Sequence, residues 1–125
     1  MKKIPTSLRV WFVIHFVADM IFGIPLLLYP VWVLGFFGID NVEMLTARLV
    51  GAALIGIGGV SLLVHKKGIE TYQALLSLKL IWASAAIVAI ILSLLQGAPE
   101  NVCWILRIFI IFWGVWAYYK WQLSK

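Results

Sequence analysis

Charge is scarce in this chain. Asp, Glu, Lys and Arg make up 12% of its 125 residues, against roughly 25% in soluble domains. Only five residues are acidic. One cysteine is present, Cys103, which excludes an intrachain disulfide and gives no metal-binding cysteine cluster. The sequence contains no P-loop, GxSxG, HExxH, dinucleotide fingerprint or CxxC, so no catalytic residue follows from a motif. The glycine-rich stretch GAALIGIGG is no phosphate loop: it lies inside an apolar run and lacks the Gly-Lys-Ser/Thr ending. No cofactor or metal is expected, and an enzymatic role is not the first expectation.

Apolar surface is abundant. Hydrophobic residues make up 64% of the chain, against roughly 45–50% in soluble proteins. A soluble chain of this length could not hide so much apolar surface from water. The bilayer is the natural solvent, and one membrane domain over residues 1–125 is expected. The net charge of +5 does not point to nucleic acid. The basic residues sit mostly at the ends of apolar runs, where they read as topology signals and contacts with anionic lipid.

Four segments approach the roughly 20 residues that a helix needs to cross hydrocarbon. They cover about 8–29, 44–64, 71–95 and 101–121. Short connections predict antiparallel neighbours, hence an all-α, four-transmembrane-helix bundle. The start, MKKIPTSLRV before an apolar run, imitates a signal peptide. His15 and Asp19 interrupt that run and no small-x-small cleavage site follows, so a retained first span is expected. Pro25 predicts a kink in the last turns of this span. The segment VWVLGFFG (31–38) is too apolar for a free loop, which places Trp32, Phe36 and Phe37 at headgroup depth. Asp40 or Asn41 can cap the second span, with Glu43 at the positive end of its dipole. Pro99 and Glu100 fit the start of the fourth. Lys2, Lys3, Arg9, Lys66, Lys67, Lys120 and Lys125 flank one side of the spans, whereas the opposite connections hold Asp40, Glu43 and Glu100 and no Lys or Arg. By the positive-inside rule both termini are cytoplasmic and the membrane is the cytoplasmic one.

Away from their ends, the spans hold five charged or basic groups: His15, Asp19, Arg48, Lys79 and Arg107. Such groups are costly in hydrocarbon and commonly have a partner or a task. His15 and Asp19 are four apart, hence on one helix face. At about 1.5 Å per residue, His15 lies roughly 10 Å from the cytoplasmic edge, Lys79 about 12 Å and Asp19 about 16 Å. On the same ruler Arg107 lies about 21 Å deep and Arg48 about 24 Å. Asp19, the only acid well inside a span, reads either as a structural ion pair or as a proton- or ligand-binding carboxylate. His15 reads as a neutral imidazole bonded to a neighbouring helix or as a relay with Asp19. Lys79 either snorkels to the headgroups or pairs inside. Arg48 shares a face with Ala52 and Gly56, which directs it into the bundle. Gly51, Ala52, Gly56 and Gly59 mark the second span for close helix packing, within the subunit or between subunits.

The stretch FGIPLLLYP closing the first span and ARLVGAALIGIG opening the second resemble small four-helix integral membrane proteins, DoxX-like and uncharacterised relatives. The resemblance implies a compact four-helix bundle. It also implies, for some members, likeness to subunits of quinone-linked oxidoreductases.

Three functions stand open. The preferred one is an accessory or structural bundle acting through helix–helix contact with itself or a membrane partner. The second is a small oligomeric transporter or channel with a proton-linked Asp19–His15 site. The third is a lipid- or quinone-binding subunit with Arg48 and Arg107 holding an anionic head.

Overall fold

The computed structural model describes residues 3–125; of the flanking cations, Lys2 lies outside the described residues. Within them the regular structure is entirely helical. Four helices are long and apolar enough to cross a membrane: α1 (Thr6–Leu28), α3 (Met44–Leu63), α4 (Ile69–Leu95) and α5 (Cys103–Leu123). A short α2 (Pro30–Gly35) follows α1, and a 3-10 turn (Glu100–Val102) leads into α5. The expected spans are met to within about two residues at each end, as fraying and end geometry allow.

The boundaries have local causes. Pro25 lies inside α1, which continues to Leu28 with Tyr29 N donating to Pro25 O at 2.6 Å. Pro30 then opens α2 at the first helical position, where no amide donor is needed. The apolar segment after it is helical rather than irregular, and Trp32 and Phe36 are exposed with their rings edge to face at 4.8 Å. Gly38 (φ 76°) and Gly97 (φ 98°) adopt the left-handed conformation. After Gly38, Ile39 N donates to Leu34 O; after Gly97, Ala98 N donates to Ser93 O. Both are six-to-one closures that satisfy a last-turn carbonyl.

The cap of α3 corrects the expectation. Glu43 itself is the cap, extended at φ −86°, ψ 114°, and its carboxylate accepts from Thr46 N at 2.5 Å. Asp40 and Asn41 lie upstream in the approach to it, too early in the chain to reach the first turn. The Thr46 hydroxyl and amide beside Glu43 hold its carboxyl below the ordinary value of 4.5.

The chain forms two compact units, Pro5–Lys66 and a second that contains Lys67–Lys125. The first pairs α1 with α3 and tucks α2 against them: Leu26, Val33 and Ala47 form a small core with Leu34, Val42 and Leu54 beside it. The pair is antiparallel. Arg9, at the end of the first turn of α1, donates to His65 O just beyond α3 at 2.6 Å. At the other end Arg48 Nε donates to Leu27 O at 3.1 Å. The second unit pairs α4 with α5, also antiparallel. Gln73 donates to Leu123 O and Lys120 donates to Gln73 O at one end, and Trp113 donates to Ser84 further along.

Candidate functional site

The buried residues of α1 are Leu8, Phe12, His15, Asp19, Gly23 and Leu26. Their three- and four-residue spacing makes one stripe, so His15 and Asp19 sit in the packed face of the helix. His15 is 5% exposed and Asp19 7%. Helical geometry alone brings them together: His15 Nε2 lies 3.3 Å from Asp19 Oδ2.

Room for that pair comes from α3. A methyl group on Gly58 would sit 2.6 Å from Asp19 Cβ and 3.1 Å from its Oδ2, both inside contact distance. Two turns nearer the start of α3, a methyl on Gly51 would meet Leu27 N at 2.8 Å and Gly23 O at 2.9 Å. Gly23 answers from α1, where a methyl would meet Gly51 O at 3.1 Å. The two backbones are therefore in contact at the Gly23–Gly51 crossing, as small residues permit. Ser61 lies on the same buried face of α3 and donates to Ile57 O at 2.9 Å within its own helix.

This places the packing face of α3 differently from part of the expectation. Gly51 is buried against α1. Ala52 and Gly56 are exposed, and Gly59 is half-buried; a side chain added at Gly56 or Gly59 would meet nothing within 4 Å. Arg48, expected to point inward by sharing that Ala52–Gly56 face, is exposed and reaches the end of α1 only through its Nε. The reason is rotational: α3 carries small residues on several sides, and the side that meets α1 is Ala47–Gly51–Gly58–Ser61. The residues that sequence reasoning missed are Gly58, Gly23 and Ser61. The seven-residue spacing from Gly51 to Gly58 was the available signal.

In the second unit the buried stripe of α4 is Tyr72, Leu76, Lys79 and Ala83. Lys79 is 1% exposed, and its ammonium lies 4.9 Å from the centre of the Trp116 ring on α5. A cation over an indole face is favourable, more so when desolvated. Trp116 in turn stacks on Phe112 at 5.7 Å. Lys79 is thus an interior residue rather than one that snorkels outward. Arg107 is exposed, with its guanidinium 4.8 Å from the ring of Trp104, one turn earlier. Cys103 is free and half-buried at the start of α5. Among the described residues no group of three or more His, Cys, Asp or Glu is placed to hold a metal.

The arrangement offers two chemistries. The His15–Asp19 pair can hold a proton within a membrane-spanning helix. Asp19 also packs against Gly58, and the arginine-to-carbonyl bonds at either end fasten α1 to α3. No protein-family model, characterised protein or solved structure matches the chain.

Proposed function

We propose that this chain is an accessory protein of the cytoplasmic membrane that works through helix–helix contact, with itself or with a membrane partner. The observation that carries the reading is how the first unit uses its polar groups. Arg9 and Arg48 each bond a carbonyl at opposite ends of the α1–α3 pair. Between them Asp19 is wedged against Gly58, beside His15. Charges placed this way set the register of two helices that are otherwise apolar on most sides. The resemblance of FGIPLLLYP and ARLVGAALIGIG to DoxX-like four-helix proteins supports the same reading. The cationic flanks Lys3, Arg9, Lys66, Lys67, Lys120 and Lys125, against the Lys- and Arg-free connections, support cytoplasmic termini.

A second reading has its own observation: an acid and an imidazole 3.3 Å apart, buried inside a span. That is the make-up of a proton relay in a transporter or channel. Asp19→Asn in vesicles separates the two. The accessory reading expects a lower melting temperature for D19N and no proton flux from the wild-type protein under an imposed gradient. Wild-type flux that D19N abolishes, with its melt unchanged, replaces the accessory reading with the transport one.

A further inference from the structure

A shallow, open groove of about 520 Å³ runs along the outside of the α4–α5 pair. At one end it is bounded by Ser84 and Trp113, at the other by Lys120 and Trp121, with Leu80 and Ala117 between. Its long part is apolar. The two polar atoms at the first end satisfy each other, since Trp113 Nε1 donates to Ser84 Oγ at 3.0 Å, and an indole has no second donor. The other end is cationic. Lys120 Nζ donates to Gln73 O at 3.3 Å, which uses one of its three N–H donors. Lys125 lies over the Trp121 ring at 3.8 Å, so a second ammonium sits beside the same rim.

We propose that this groove binds one acyl chain of an anionic phospholipid, with the lipid phosphate held at Lys120. Three features select that occupant. The groove opens on the outer face of two spanning helices, where Ile81 and Trp121 are exposed and lipid is the surrounding solvent. Its length is apolar and its single charged end is positive, which matches an amphiphile with a negative head and mismatches a neutral or cationic one. That end is also the end of α5 where Trp121, Lys120 and Lys125 cluster, the depth at which aromatic rings and ammonium groups meet headgroups. The inference requires only that α4 and α5 lie in a bilayer, so it stands apart from the choice between an accessory and a transport role.

The test uses the full chain in vesicles of dioleoyl phosphatidylcholine containing a minor fraction of brominated lipid. Bromine on the acyl chain quenches nearby indoles, and Trp113 and Trp121 line the groove. Brominated phosphatidylglycerol is expected to quench with roughly fivefold higher apparent affinity than brominated phosphatidylcholine, the discrimination of one lysine beside an anionic surface. Lys120→Gln is expected to remove that preference and Lys120→Arg to keep it. Ala117→Phe, which fills the groove and leaves every charge in place, is expected to lower quenching by both lipids. Equal quenching by the two lipids in the wild-type protein overturns the proposal, as does a preference that survives Ala117→Phe. Efficient disulfide formation between two copies of Ile81→Cys in the same vesicles would also overturn it, by assigning the groove to a second copy of the chain. Should Lys120→Gln fail to fold, the wild-type lipid comparison and Ala117→Phe decide the matter.

Discussion

The two helix pairs solve the same problem with opposite materials. In the first, α1 and α3 meet backbone to backbone at Gly23 and Gly51, and an acid is pressed against Gly58. In the second, no glycine is found in α4, and Gly114 of α5 has nothing near its missing side chain. There the contact is made by large groups: Trp82 against Phe109 at 6.1 Å, Lys79 over Trp116, and Trp113 on Ser84. Lipid removes the hydrophobic drive between spans, so association must come from dispersion, hydrogen bonds and fit. Close backbones maximise dispersion along the whole crossing. Aromatic side chains make fewer but larger contacts, and a groove runs along the outside of the pair. The lesson is that glycines mark where the backbones of the first pair touch, whereas the second pair is joined by its side chains.

The largest effect should come from removing the central wedge of the second pair. Trp116 is 1% exposed, and Trp116→Ala should cost about 4 kcal/mol, read from the equilibrium unfolding of the detergent-solubilised protein. A much smaller loss would break the contrast, since it would mean that α4 and α5 associate without their aromatic spacers.

Glycine substitutions in α3 sharpen the comparison. Gly58→Ala forces its new methyl into Asp19 Cβ, at 2.6 Å in the unrelaxed structure, and should cost about 2 kcal/mol through overpacking. Gly56→Ala adds the same methyl where nothing lies within 4 Å, and should cost nothing or gain a few tenths of a kcal/mol from helix propensity. Melting the two variants side by side checks this. Equal losses would show that glycine is needed in α3 for a reason other than the α1 contact.

The smallest effect belongs to the start of α3. The Glu43 carboxyl titrates below its ordinary 4.5 because Thr46 bonds the charged form. A group with a depressed pKa stabilises the folded state above its unfolded value and loses that contribution as pH falls through the folded one. Protection of the amides in the first turn of α3 against exchange should therefore fall as pH drops through the lowered Glu43 value, and Glu43→Gln should remove that pH dependence. Hydrogen exchange of the folded full chain, resolved at the amides of that turn, reads both.

Much of the fold was legible without coordinates. Apolar runs near 20 residues long gave four helices, because hydrocarbon admits little else. Pro99 announced the start of the fourth span, and Pro30, Gly38 and Gly97 stand at boundaries for the backbone geometry that each carries with it. The site was legible in part. The four-residue spacing of His15 and Asp19 was enough to pair them. The burial of Asp19 against Gly58 was not readable, and neither were the exposure of Arg48 and Arg107 or the place of Lys79 against the Trp116 ring. Each of those depends on how a helix is turned about its own axis.

The amino-acid order alone determined the solvent, the number of spanning helices and their approximate ends. Those properties follow from local sums of hydropathy, from charge, and from the conformational limits of glycine and proline. Only the tertiary structure decided which glycine of α3 meets α1. Gly51, Gly56, Gly58 and Gly59 together spread over several sides of that helix, so no polar face fixes its rotation. The choice rests on the combined fit of two long surfaces, a sum over contacts distant in sequence, and the fit selects Gly51 and Gly58.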